Sequence, residues 1–225
     1  MPPRVVRASA VTGSQDRLRR HPLKTINDHV AFYLELCIAA CCADQPDLIV
    51  LPELALQWQA KESGGCSVID LAVLVPGTET DAFANLARKR QTHIVLPVAE
   101  RTREGAIYNS AILIGPDGII GAYHKMHLAL EESQRGILPG DSAPVYRTPI
   151  GMIGCNICMD SSALESSRLA ALGGAEILAL AIMGDFRADR WTPGKPIFDE
   201  DRWMAIMRTR AMDNAMHLVV ARNTA

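Results

Sequence analysis

Two short stretches, DLIVLPE at residues 47–53 and HIVLPVAE at residues 93–100, constrain what this chain can fold into more than any other feature. Each is an apolar run of strand length without polar alternation, which is the pattern of a strand buried on both faces. A longer segment with helical spacing precedes each. Between Pro22 and Ala43, the apolar residues Ile26, Val30, Tyr33, Leu34, Cys37 and Ile38 follow that spacing, and TDAFANLARKRQ forms a second amphipathic segment. Helix-then-strand units of this kind build an α/β domain around buried sheets. No fixed period continues, so the two units are not a solenoid.

The rest of the chain keeps the rhythm. VVRASAV reads as a first strand. AIYNSAILIGPDGIIGAYHKMHL reads as two strands around a Pro-Asp-Gly turn. IGMIGCNIC is a strand, SALESSRLAALGG a helix closed by glycine, AEILALAIM a strand, DRWMAIMRTRAMDNA a helix and HLVVARN a last strand. Loops are expected around Gly64 and Gly65 and from Thr192 to Pro196. No linker or low-complexity segment divides the 225 residues, so residues 1–225 read as one domain.

Composition narrows the function classes. A net charge of -2 gives no electrostatic footprint for nucleic acid or an anionic membrane. No uninterrupted apolar run approaches the ~18 residues of a membrane span. The N-terminal apolar patch is broken by Arg7 and Thr12, too early for a signal peptide. A cytoplasmic location is the expectation, and the six cysteines, Cys37, Cys41, Cys42, Cys66, Cys155 and Cys158, are expected to be free thiols there.

Three polar residues end apolar strands: Glu53 after LIVLP, Lys125 after IIGAYH and Cys158 after IGCNI. Strand ends are where α/β folds gather their sites. Taken singly, each has a plainer reading: a solvated strand end, a surface charge on a hairpin, a packed core thiol. Cys155 and Cys158 also form a C-x-x-C, which raises a redox or zinc reading, although structural zinc needs further ligands. Strand parity separates the two thiols, because residues three apart on a strand face opposite sides. Cys158 stands at a strand-to-helix junction, ahead of Ser161 and Ser162, which can cap the next helix. A helix start stabilises a thiolate and offers free N–H groups.

In order along the chain, DLIVLPELAL, YNSAILIGPDGIIGAYHKMHL, PGD at 139–141, IGMIGCNICMD and RTRAMDNAMHLVVARN resemble the nitrilase, or carbon–nitrogen hydrolase, superfamily. The resemblance spans nearly the whole chain. It implies an α-β-β-α sandwich with helices outside two stacked sheets, and a homodimer or higher homo-oligomer. It implies a catalytic Glu53, Lys125 and Cys158, with Glu132 as a second glutamate seven residues after the lysine and Glu131 as its competitor for that place. It assigns an oxyanion N–H to Met159. No metal or organic cofactor is implied.

Other residues take structural readings. Asn109 is expected to satisfy backbone groups near the hairpin, His127 to support the lysine loop, Glu165 and Arg168 to form an ion pair, and Arg210 and Asn214 to brace the site from behind. The tryptophans and the methionines of RWMAIMRTRAM suit core or subunit-interface packing.

The pattern departs from the family in two places. CMD, with Met159 in place of an aromatic, favours amidase-like branches, and Ala163 and Leu164 replace a Phe-Pro pair. Family members also continue past the ARN strand with a loop, a hairpin and an extension. The chain is therefore expected to be a fragment or a shortened member lacking those C-terminal strands. The expected reaction is hydrolysis of a small carboxamide to an acid and ammonia through a cysteine thioester. N-carbamoyl amide or nitrile hydrolysis by the same triad, and a catalytically inactive oligomerisation scaffold, are the alternatives.

Overall fold

A computed structural model of the chain describes residues 5–13, 23, 25–57, 67–183 and 200–223. The loops expected around Gly64 and Gly65 and at Thr192 to Pro196, together with Cys66, lie outside the described residues.

Two sheets carry the strands. The first has the order β1 (Ala8–Ala10), β2 (Leu48–Val50), β4 (His93–Arg101), β5 (Ile107–Gly115) and β6 (Gly118–His124), with β3 (Val73–Leu74) paired to the far end of β4. The second runs β10 (His217–Arg222), β9 (Ile177–Ile182), β8 (Gly151–Ile157), β7 (Val145–Thr148). The two similar apolar runs, DLIVLPE and HIVLPVAE, are direct neighbours: β2 and β4 pair in parallel, with Ile49 opposite Ile94 and Val50 opposite Val95.

One apolar core fills the space between the sheets. Leu48, Val50, Val95, Ala111, Leu113 and Tyr123 of the first meet Ile153, Cys155, Ile157, Ile177 and Ala179 of the second. Helices cover the outer faces. On the first sheet lie α1 (Ile26–Asp44) and α2 (Thr78–Arg90), which contribute Tyr33, Cys37, Phe83 and Ala87 to a second core. On the other sheet lie α4 (Leu164–Leu172) and α5 (Glu200–Asn214), through Ala170 and Met207. The molecule is the expected α-β-β-α sandwich.

Helix α1 starts at Ile26 because Thr25 caps it. The Thr25 hydroxyl accepts from the Asp28 N–H at 3.2 Å, and the Asp28 carboxylate accepts from the Thr25 N–H at 2.8 Å. By length and composition alone this helix could cross a bilayer. Counting uninterrupted apolar runs passes it over, because Asn27, Asp28, His29 and Glu35 break the run. Phe32, Tyr33, Cys37 and Cys41 are its buried face, packed on the first sheet.

The hairpin β5–β6 turns at Pro116-Asp117, with Gly118 at φ +121°, a conformation open to glycine. Just beyond the turn Ile114 pairs with Ile119, but Leu113 pairs with Gly121, so Ile120 is an extra residue. This bulge resets the phase of β6. An unbroken ladder would put His124 opposite Asn109. Instead Ser110 pairs with His124, and the Lys125 N–H donates to the Asn109 carbonyl at 2.9 Å. Lys125 and Asn109 therefore continue the face that lies between the sheets. Ser110 and His124 take the other face, where both contact the Glu100 carboxylate, at 2.6 and 3.0 Å.

Candidate active site

At one end of the inter-sheet core, the chain leaves β2, β6, β8 and β9 together. Glu53 follows β2 and is fastened to the opposite sheet. Its N–H donates to the Ile182 carbonyl at 3.4 Å, and its Oε2 accepts the Met183 N–H at 3.0 Å. Lys125 follows β6. Its Nζ donates to Glu53 Oε1 and to Glu132 Oε2, each at 2.7 Å. Glu53 and Lys125 are almost fully enclosed, with relative exposures of 2% and 1%.

Glu132 lies on a five-residue helix, α3 (Leu130–Gln134). It occupies the third position of that helix, so its Oε2 also accepts from the capping Ala129 N–H at 2.7 Å. One carboxylate thus closes its own helix and holds the lysine. Of the two adjacent glutamates, Glu132 is the one hydrogen-bonded to Lys125 at 2.7 Å. Asn109 completes the cluster. Its Nδ2 donates to Glu53 Oε1 at 2.9 Å and to Glu132 Oε1 at 2.7 Å. The structural role expected for Asn109 is corrected accordingly: its side-chain donors serve two carboxylates, while its own carbonyl, not its amide, serves the hairpin.

Cys158 directly follows β8 and is half-buried against this cluster, with its thiol close enough to Glu53 for the two groups to interact. Its φ of +43° is unusual for a non-glycine residue. The following residues form a tight 3₁₀ turn, Cys158–Ser161. The capping expected of Ser161 and Ser162 is not what the structure contains. Helix α4 starts only at Leu164, behind Ala163, without a side-chain cap. The Ser161 hydroxyl instead donates to the Cys158 carbonyl at 2.7 Å, closing the turn. Met159 is the second residue of that turn, among the first N–H groups that such a turn leaves without an internal acceptor. Cys155 points into the core between the sheets, and burial pushes its thiol up to about 12, but Cys158, leaving the strand at a positive φ, packs against that same core, so strand parity does not separate the two thiols as expected.

One residue of the site, Asp160, stands out in the sequence only as part of CMD. Asp160 is fully buried and receives four donors: the Ile157 N–H at 2.8 Å, the Tyr123 hydroxyl at 2.7 Å, the His127 N–H at 2.9 Å and His127 Nδ1 at 3.0 Å. Its carboxylate therefore ties the Cys158 turn to residues on either side of Lys125. His127 supports the lysine loop as expected. Arg210 braces the turn through Nε to the Ser161 carbonyl at 3.3 Å, whereas the Asn214 amide binds the Arg210 carbonyl of its own helix. Glu165 and Arg168 form no ion pair with each other in the described residues.

The PGD segment has a steric reason. The Gly140 N–H donates to the Lys125 carbonyl at 2.9 Å. A Cβ at Gly140 would run into the His124 carbonyl oxygen, with the His124 carbonyl carbon at 2.8 Å. These are backbone atoms and cannot swing aside. Gly140→Ala should therefore push the lysine loop outward and cost about 1–3 kcal/mol of stability. Urea denaturation measures the cost, and turnover at a temperature where the variant is folded should fall with it.

Electrostatics separate the two central groups. Burial alone would push Lys125 down, but the neighbouring negative charges, that of Glu53 first, outweigh it and hold the ammonium well above its ordinary value. Burial pushes the Cys158 thiol up, and the Glu53 carboxylate adds to this, against the pull of Lys125. The resting group is thus a protonated thiol beside a carboxylate. This corrects the expectation of a thiolate stabilised by a helix start, since no α-helix starts at Cys158. Alkylation of Cys158 by iodoacetamide should accelerate with a midpoint above the ~8.5 of a free thiol. A midpoint below that value would contradict the geometry.

A buried lysine shared by two carboxylates thus lies beside a half-buried thiol at a strand end, an arrangement that can supply a cation, a base and a nucleophile. The carbon–nitrogen hydrolase family model matches residues 22–225, and the chain belongs to that family. A probable nitrilase of Schizosaccharomyces pombe is 30% identical over 178 residues, 78% of this chain and 60% of that protein. An (R)-stereoselective amidase of a Pseudomonas species is 34% identical over 139 residues, 62% of this chain and 49% of that protein. The chain thus spans between about half and three-fifths of these relatives. The crystal structure of a carbon–nitrogen hydrolase from Helicobacter pylori G27 superposes with a TM-score of 0.80 at 23% identity, covering 98% of this chain and 74% of the other. That likeness concerns the fold.

Proposed function

We propose that this site hydrolyses the carbon–nitrogen bond of a small carboxamide, giving an acid and ammonia through a thioester on Cys158. The observation that carries the reading is the buried Lys125, shared at 2.7 Å by Glu53 and Glu132, with the Cys158 thiol against Glu53.

The steps follow from the donors and acceptors present. As Cys158 Sγ attacks the amide carbon, its proton passes to the Glu53 carboxylate, and the carbonyl oxygen becomes an oxyanion. An ammonium has three N–H donors. Two of those on Lys125 are committed to glutamates, which leaves the third for the oxyanion, alongside the Met159 N–H. Each such donor contributes about 3–4 kcal/mol of transition-state stabilisation. When the tetrahedral intermediate collapses, the C–N bond breaks, and the nitrogen takes the proton held by Glu53 and leaves as ammonia. Glu53 is then a carboxylate again. It removes a proton from water as the oxygen attacks the thioester, and returns it to Sγ as the C–S bond breaks. Glu132 keeps Lys125 oriented throughout. No step calls on a metal or an organic cofactor.

A nitrile is the second reading, supported by the name of the Schizosaccharomyces pombe relative. The test is ammonia release from a panel of small carboxamides, N-carbamoyl amides and nitriles, run beside Cys158→Ala. Release from one or more carboxamides, absent in the variant, is the expected result. Release from nitriles alone, or undiminished release in the variant, overturns the proposal.

A further inference from the structure

The lone pairs of Glu53 are unequally used. A carboxylate has about four acceptor sites, two on each oxygen. Oε1 accepts from Lys125 Nζ at 2.7 Å and from Asn109 Nδ2 at 2.9 Å, so it is full. Oε2 accepts the Met183 N–H at 3.0 Å, which leaves it one acceptor site for a proton. Asn109 spends its other N–H on Glu132 Oε1 at 2.7 Å. Its own Oδ1 is buried without a hydrogen-bond partner. Leaving such an acceptor unsatisfied is costly, and a residue serving only the hairpin would have no need to be an asparagine there.

We infer that Asn109 is a positioning residue for the reaction: by filling Oε1 of Glu53 and pinning Glu132, it directs the thiol proton to Oε2 of Glu53 and leaves the third Lys125 proton for substrate. The inference rests on the hydrolase reading for its catalytic meaning, but the geometry also makes a claim about thiol chemistry alone. The charged and titratable groups around Asn109 come from four elements: Glu53 after β2, Lys125 after β6, Glu132 on α3 and Cys158 after β8. A neutral donor at this point keeps two carboxylates apart without adding charge. A third carboxyl there would sit between like charges, and its own ionisation would be deferred to higher pH.

The experiment compares the full wild-type chain with Asn109→Asp and Asn109→Ala, each checked for folding by circular dichroism. The rate of Cys158 alkylation by iodoacetamide is followed from about pH 5 to pH 9, beside ammonia release from propionamide. At low pH the new carboxyl of Asn109→Asp keeps its proton, and alkylation should track wild type. As pH rises and that carboxyl ionises, the thiol is held more firmly, and the ratio of variant to wild-type rates should fall roughly tenfold or more. A ratio independent of pH overturns the inference. Asn109→Ala should lower kcat roughly ten- to hundredfold with KM within about threefold. An unchanged kcat overturns the inference, and this arm decides it should the aspartate variant not fold. If wild type alkylates but releases no ammonia from propionamide or from any carboxamide of the panel, the amide reading fails, while the pH-dependent ratio still decides the role of Asn109.

Discussion

Cys158→Ala should reduce ammonia release by roughly 10⁴- to 10⁶-fold, the scale on which removal of a covalent nucleophile acts. The fold should survive. The side chain is half-buried, and the turn is held by other bonds: the Ser161 hydroxyl to the Cys158 carbonyl, the Ile157 N–H to Asp160 and Arg210 to the Ser161 carbonyl. The same position permits a second comparison. A side chain at φ +43° is strained in a way that glycine is not. Cys158→Gly should therefore be more stable than Cys158→Ala by about 1 kcal/mol, measured by urea unfolding. Equal stability would mean that the turn does not store strain at the nucleophile.

Lys125→Met should be the most destabilising single change in the site, at about 3–5 kcal/mol near neutral pH. The methionine fills the same space but leaves Glu53 and Glu132 enclosed without the cation that both contact at 2.7 Å. The cost is electrostatic, so it should not add simply with a second change. Lys125→Met/Glu132→Gln, which removes one of the stranded charges, should be less destabilised than the sum of the single variants. Additivity would point to lost packing instead. The pH dependence has a fixed sign. The folded-state value of Lys125 is raised, so the stability it contributes is complete below the ordinary lysine value of ~10.4 and is lost only as pH climbs above it. On the alkaline side the gap between wild type and variant should hold to about pH 10 and narrow only in strong alkali, while in acid it should narrow as the stranded carboxylates take up protons.

The long apolar runs were readable because their chemistry is local. A stretch such as DLIVLPE can be little other than a buried strand, and the structure pairs it with HIVLPVAE in register. The short elements were not readable. Val145–Thr148 and Leu130–Gln134 are too brief to show a period, yet the second carries Glu132. The bulge at Ile120 left no mark in GIIGAYH, because a single extra residue changes phase without changing composition. That bulge decides which side of the sheet Lys125 faces. The lysine was identified through its resemblance to a family motif, and not through strand parity.

Asn109 and Asp160 show a different gap. Both are polar residues in apolar surroundings, and the sequence signals that they are buried and satisfied. It does not signal by what. Asn109 meets partners 56 positions before it and 23 after, and Asp160 meets partners 37 and 33 positions earlier. Such distant pairings emerge only when the two sheets close. The thiol was misjudged for a related reason. A strand-to-helix junction in the sequence suggested a helix dipole, while the folded chain supplies a tight turn and a carboxylate.

Trapping the covalent intermediate tests the central claim most directly. A carboxamide that is turned over would be mixed with the wild-type chain, quenched in acid within milliseconds and digested for mass spectrometry. The peptide containing Cys158 should carry the mass of the acyl group, and the adduct should be lost on incubation before quenching. Steady turnover with no adduct on that peptide, or with an adduct on another residue, would contradict the account.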